Sequence, residues 1–179
     1  MALESGRANR TADAQLHVTM KTILAPVDFS SATDWVIAAA ASLARSFAGR
    51  VVLLNITQPP TVVGDYGGLM VDVAEMTQQM AKSALAELER LEERLENDFI
   101  EVAIIQLTGT PVSSILEQAK TLPADYIVLG SHGHTAFYDL LVGSTANGVL
   151  KRATCPVVIV PAAKGAKSRK GSSSAGGKR

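Results

Sequence analysis

Short apolar runs without polar alternation constrain the fold of this chain more than any other feature. Two examples are "YIVLG" at 126–130 and "VVIV" at 157–160. A strand with one solvated face alternates apolar with polar residues, whereas a strand covered on both faces is apolar throughout. These runs therefore predict parallel strands that are buried between two layers of helices.

Five predicted strands alternate with four predicted helices. The strands are expected at Thr22–Asp28, Arg50–Thr57, Ile100–Thr108, Ala124–Gly130 and Pro156–Pro161. The helices are expected from Ser30 or Ser31 to a stop at Gly49, over 70–97, from Pro111 onward, and after Ser144. This order predicts an α/β fold with an open, doubly wound, five-stranded parallel sheet and right-handed crossovers.

The second helix shows the clearest period. Seven apolar residues recur every three or four positions along it, as on one face of a helix: Val73, Met76, Met80, Ala84, Leu88, Leu91 and Leu95. Glu and Arg fill the opposite side, so the pattern predicts a long amphipathic helix.

Composition divides the chain into three parts. Residues 1–19 have no sustained period and are expected to be a flexible extension, residues 20–162 the folded domain, and residues 163–179 a disordered basic tail rich in Gly, Ser and Lys. Residues 20–161 carry nine Lys and Arg against fifteen Asp and Glu, a net charge of −6. A polyanion bound to such a body must therefore rely on local backbone donors.

Several functional classes are disfavoured at once. The single cysteine excludes a disulfide framework and a cysteine-based zinc site. The sequence shows no signal peptide and no apolar run near the roughly 18 residues that span a bilayer. We therefore expect a cytoplasmic protein that binds neither membranes nor a specific nucleic acid.

A ligand in an open α/β sheet binds beyond the carboxyl ends of the strands, where the strand order reverses. The segment "LGSHGHTAFYDLLVGST" at 129–145 begins at one such end. No Lys precedes Ser144, so it is not a P-loop, and the first strand lacks the glycines of a dinucleotide fingerprint. His132 and His134 lack a third metal ligand, and a triad of Ser144, His132 and Asp139 lacks the G-x-S-x-G elbow.

The glycines of this segment favour a phosphate cradle. Gly130 and Gly133 allow backbone N–H groups to approach a ligand without obstruction by Cβ. Gly143 and Ser144 open a helix, whose N-terminus offers unpaired N–H donors and a partial positive charge. A purely structural interpretation, with a turn at Gly133 and an N-cap at Ser144, remains open from the residues alone.

The spacing G-x2-G-x9-G-[ST] in "GSHGHTAFYDLLVGS", together with "ILAPVDFS" at the first strand and "CPVVIVP" at the last, resembles the universal stress protein family. The resemblance covers about residues 20–161. It implies a sheet of strand order 3-2-1-4-5 of the adenine nucleotide alpha hydrolase-like type. It also implies ATP binding, which accompanies the full glycine motif, and a homodimer through antiparallel pairing of the last strand, Val157–Val160.

The resemblance also implies a set of nucleotide contacts. Pro26, Val27 and Asp28 would line the adenosine side, with Asp28 accepting hydrogen bonds from adenine or ribose. Ile56 would contact adenine, and Leu129 and Gly130 would flank the ribose. The phosphates would be held at Gly133, Gly143, Ser144, Thr145 and Ala146, with Ser131 and His132 completing the loop. A Mg²⁺ ion would be held mainly by the phosphates, with no metal-binding or catalytic residue of the chain.

These expectations describe a regulatory, stress-response module that binds ATP. Two alternatives remain open. The first is a slow ATP hydrolase or autokinase with Ser144 or Thr145 as acceptor. The second is a dimeric interaction protein that does not need nucleotide. The identity of any further protein partner is left open.

Overall fold

A computed structural model of the chain describes residues 20–59, 73–131 and 142–161. Strands and helices alternate along the described segments, in this order: β1 (Thr22–Pro26), α1 (Thr33–Phe47), β2 (Arg50–Thr57), α2 (Val73–Asn97), β3 (Glu101–Thr108), α3 (Pro111–Thr121), β4 (Tyr126–Gly130), α4 (Ser144–Leu150) and β5 (Val157–Val160). The predicted flexible leader and basic tail lie outside the described residues.

The five strands form one parallel sheet of order β3-β2-β1-β4-β5, which confirms the predicted fold class and strand order. From β1 the chain moves outward through β2 to β3 and then returns, through α3, to β4 on the other side of β1. The order therefore reverses between β1 and β4. In this class of sheet, that reversal opens a crevice at the carboxyl ends of the two strands.

Both faces of the sheet are buried, as the continuous apolar runs predicted. Ile23 and Leu53 face α1 and α2, and they share a core with Val36, Leu88 and Leu95. The alternate strand residues face α3 and α4: Leu24, Val52, Leu54 and Ile127 pack with Ile115, Ala146 and Val149. The central strands thus supply side chains to two separate cores, which fixes the register of every strand against both helical layers.

The N-cap of helix α1 is Ala32, one to two residues later than the predicted N-cap at Ser30 or Ser31. A tight turn precedes it, in which the Ser30 carbonyl accepts the Thr33 N–H at 3.0 Å. The helix ends near the predicted stop, but Ala48 (φ 46°) rather than Gly49 takes the left-handed conformation. Gly49 is needed for close approach instead, because a Cβ there would lie 2.5 Å from the Lys21 carbonyl oxygen.

Helix α2 is covered along only part of its apolar face. Leu88 and Leu95 are buried, but Met76 and Met80 are 45% and 47% exposed. The predicted amphipathic helix is thus present, but the first turns of its apolar face are exposed to solvent. The period identifies an apolar stripe but not the length of sheet that is available to cover it. None of the helices in the described segments is long and apolar enough to cross a bilayer.

Candidate functional site

A cavity of about 500 Å³ lies at the carboxyl edge of the sheet, where the strand order reverses. Its walls come from the ends of β1, β2 and β4 and from the first turns of α1, α3 and α4. The volume falls within the range typical of small-molecule sites. Helices on both faces of the sheet contribute, so the cavity opens between the two helical layers.

Eleven of the thirteen nucleotide contacts predicted from the sequence line this cavity. They are Pro26, Val27, Asp28, Ile56, Leu129, Gly130, Ser131, Gly143, Ser144, Thr145 and Ala146. The other two, His132 and Gly133, lie outside the described residues, as do His134 and Asp139. The structure thus brings together residues from four separate segments of the chain.

The turn between β1 and α1 is held by hydrogen bonds on both sides of Asp28. The Val27 N–H donates to the Leu54 carbonyl at 2.9 Å, and the Asn55 side-chain amide donates to the Val27 carbonyl at 2.9 Å. One carboxylate oxygen of Asp28 accepts the Ser30 N–H at 3.0 Å. The Asp28 carboxylate is therefore presented at the cavity wall by a turn that is already ordered.

Phe29 completes this turn in an uncommon conformation. Its φ of 59° lies in the left-handed region, which is disfavoured for a bulky residue. The side chain is partly buried against the core between the sheet and α1. Packing of the ring therefore offsets the backbone strain and anchors the turn directly after Asp28.

The two ends of the glycine-rich segment meet at the other side of the cavity. The Gly143 N–H donates to the Ser131 carbonyl at 2.7 Å, and the Ser131 N–H donates to the Val160 carbonyl at 2.7 Å. These bonds fix the start of α4 against the end of β4, so that Gly130 and Gly143 both border the cavity.

Gly143, and not Ser144, is the N-cap of α4. The first intrahelical bond runs from the Asn147 N–H to the Gly143 carbonyl at 2.9 Å, and no side chain caps the helix. The interpretation of Ser144 as only a structural N-cap therefore does not hold. Instead, the amides of residues 144–146 precede the first intrahelical bond, at the wall of the cavity.

The charge of the wall is unusual for an anion site. Among the described residues that line the cavity, Asp28 is charged and none is Lys or Arg. A bound anion would depend on N–H and hydroxyl donors, as the net acidity of the folded part requires. Within the same described segments, no cluster of three or more His, Cys, Asp or Glu side chains could hold a metal ion.

Sequence reasoning missed the part of the wall that helices α1 and α3 supply. It consists of Ala32, Thr33, Val36, Thr110, Pro111, Val112 and Ile115, and Gln58, directly after β2, was missed as well. Thr110 and Pro111 could have been found, because they follow a strand end on the same edge of the sheet. The α1 residues give no signal of their own, since a helix period shows only that they face the interior.

The chain is similar to universal stress proteins of archaea and bacteria. The model of the universal stress protein family matches residues 19–161. The chain is 27% identical over 157 residues to universal stress protein MJ0577 of Methanocaldococcus jannaschii, covering 81% of this chain and 97% of that protein. It is 32% identical over 146 residues to universal stress protein A homolog 1 of Coxiella burnetii, covering 78% of this chain and 95% of that protein.

Solved structures of such proteins share the fold. The structure of MJ0577 superposes with a TM-score of 0.68 at 26% identity, over 81% of this chain and 98% of that one. A universal stress protein in complex with cAMP has a TM-score of 0.60 at 19% identity, over 80% of this chain and 98% of that one. The Archaeoglobus fulgidus protein in complex with dAMP has a TM-score of 0.55 at 21% identity, with the same two coverages. At these lower identities the likeness is one of fold.

Proposed function

The chain belongs to the universal stress protein family, and from this premise we propose that it is an ATP-binding, regulatory protein of the stress response that acts in the cytoplasm. One observation carries the proposal: a single cavity at the reversal of strand order gathers residues from four segments that the family resemblance assigns to the nucleotide. Two proteins of the same fold were solved with cAMP and with dAMP, which supports an adenine nucleotide as the ligand class.

The wall suits the two unlike ends of a nucleotide. Apolar side chains at the ends of β1 and β2 and in α3, among them Val27, Ile56 and Ile115, form a surface that suits a flat base. The Asp28 carboxylate lies at the cavity wall and would accept hydrogen bonds from the base or the ribose. Leu129 and Gly130, at the end of β4, would flank the sugar.

The phosphates would lie at the start of α4. The amides of Ser144, Thr145 and Ala146, together with the two hydroxyl groups, are donors that require no lysine. Gly130 and Gly143 leave the backbone accessible, and Ser131, His132 and Gly133 would complete the loop. A Mg²⁺ ion would neutralise phosphate charge while bound mainly to the nucleotide.

We also propose a homodimer through β5. This strand ends the sheet and pairs with β4 on one side. The carbonyls of Pro156 and Val160 accept the N–H groups of Ile127 in β4 and of Ser131 directly after it, so the polar backbone groups of Val157 and Ile159 point away from β4. A two-fold axis beside β5 would pair these groups with those of a second copy in antiparallel fashion.

The proposal is tested by calorimetric titration of the purified protein with ATP. Gly143→Val places a branched side chain at the start of α4, where the backbone (φ −55°, ψ 159°) accepts any residue. We expect this variant to fold but to lose most of its affinity for ATP. Val142→Ala is the matched control, because residue 142 is the exposed neighbour and lies outside the cavity wall.

Two results would contradict the proposal. One is wild-type protein that binds no adenine nucleotide at millimolar concentration and whose melting temperature ATP does not raise. The other is equal affinity for ATP in Gly143→Val and Val142→Ala, which would show that the phosphates are not bound at the start of α4.

A further inference from the structure

Asn55 holds the turn that carries Asp28, although it lies outside the set of described residues that line the cavity. It sits near the end of β2 and is 6% exposed. Its side-chain amide donates a hydrogen bond of 2.9 Å to the Val27 carbonyl, the group directly before Asp28. Val27 and Asp28 both line the cavity.

This bond extends the attachment of β1 to β2 past the end of the strand. Backbone register runs as far as Pro26 against Leu54, and the Val27 N–H makes the last backbone bond, to the Leu54 carbonyl. The amide of Asn55 then supplies the next bond in place of a backbone donor. Beyond it the chain turns through Phe29, whose left-handed φ of 59° requires support from its surroundings.

Asn55 is a poor choice for stability alone. Its side-chain oxygen is buried and has no hydrogen-bond partner among the described residues. A core amide that is only half satisfied loses in desolvation much of what its one bond contributes. Buried polar groups without a partner are found most often at functional sites. The bond from Asn55 is therefore of interest for the residues that it holds in place, Val27 and Asp28.

We propose that Asn55 is a positioning residue for the nucleotide, which acts by holding the Val27 carbonyl so that the Asp28 carboxylate meets the nucleoside. This inference rests on the proposed function. Without the bond, the turn populates the binding geometry for a smaller fraction of the time. The apparent affinity then falls by that fraction, with the other contacts unchanged.

The first test is Asn55→Leu, which has the same branched shape but no hydrogen-bond donor or acceptor. This variant loses the bond from the Asn55 amide to the Val27 carbonyl, which supports the turn in its binding geometry. We expect ATP binding to weaken about fivefold, the change in affinity that corresponds to one typical hydrogen bond. The melting temperature moves by no more than about 4 °C, since the orphaned oxygen is removed together with the bond. Thr57→Val is the matched control on the same face of β2. Residue 57 is equally buried and also lies outside the cavity wall, so affinity is unchanged.

The second test combines Asn55→Leu with Asp28→Ala in a double-mutant cycle. If Asn55 acts through Asp28, then Asn55→Leu causes no further loss of affinity once the carboxylate is gone. An equal fivefold loss in both backgrounds would overturn the proposal, as would unchanged affinity in the single variant. Absence of ATP binding by the wild-type protein would instead overturn the proposed function, and this inference with it.

A third measurement needs no ligand. The Ser30 N–H donates to Asp28, so its hydrogen exchange reports the order of the turn. We expect this amide to exchange faster in Asn55→Leu than in the wild-type protein, and at an unchanged rate in the control Thr57→Val. Asn55→Thr replaces Asn55→Leu if the leucine variant does not fold. Unchanged exchange at Ser30 would show that the turn does not depend on Asn55.

Discussion

Gly148 sets how closely α4 approaches α3, and its replacement by Ala has an effect whose sign can be worked out. A Cβ at this position would lie 2.9 and 3.2 Å from the two methyl carbons of Val112. Contacts this short must be relieved, and overpacking of this kind costs about 1–3 kcal/mol. Ala in a helix is favoured over Gly by about 1 kcal/mol. The net expectation for Gly148→Ala is therefore a loss of about 1 kcal/mol.

The same substitution should become favourable when the obstruction is removed. Val112→Ala deletes both methyl carbons, so only the helix preference of Ala over Gly remains. In that background, Gly148→Ala should increase the free energy of unfolding by as much as about 1 kcal/mol. Urea unfolding of the four proteins measures the coupling, which should be about 2 kcal/mol. A loss of equal size in both backgrounds would refute the reasoning. Since Val112 lines the cavity, the contact also ties the two helix starts that border the ligand site.

Three further perturbations have definite outcomes. The hydrogen bond from Lys21 (2.8 Å) and that from the Thr22 N–H lower the pKa of Asp125, so this carboxylate stabilises the protein above its unfolded pKa near 3.8. That contribution is lost as the pH falls through the lower folded pKa. In urea unfolding between pH 6 and pH 2, the free energy of unfolding should therefore depend less on pH in Asp125→Asn than in the wild-type protein. Leu88→Ala should destabilise the protein by about 2–5 kcal/mol but Met80→Ala by less than about 0.5 kcal/mol, because only Leu88 is buried. Equal losses of stability in chemical unfolding would place Met80 in the core. Ile159→Pro removes an outward N–H from β5, so analytical ultracentrifugation should find a monomer, and an undisturbed dimer would exclude pairing through β5.

The fold could be predicted because its signals are local. Strand β2 was predicted at its observed bounds, since the apolar run is closed by a glycine before it and by Gln and Pro after it. The start of α1 was placed too early, because Ser30 is a good N-cap type that here accepts the Thr33 N–H through its carbonyl within a turn. The period of α2 identified its apolar face but not that Met76 and Met80 would be exposed, because periodicity does not reveal where the sheet ends.

The site was predictable to the extent that it follows the strand ends. Asp28, Ile56 and Gly130 lie at or directly after the ends of three strands, so the topology alone brings them to the carboxyl edge of the sheet. The contribution of α1 and α3 depends on how two helical layers approach that edge, which no single segment encodes. The bond from Asn55 to Val27 joins residues 28 apart in sequence, and nothing in "VVLLNIT" shows that this amide reaches β1.

The most direct test of the central claim is a crystal structure of the protein grown with ATP and Mg²⁺. Density for the base beside Ile56, with the phosphates at the start of α4 between Gly143 and Ala146, is the expected result. An empty cavity at saturating ATP, or nucleotide bound elsewhere on the protein, would contradict the claim that this cavity is the nucleotide site.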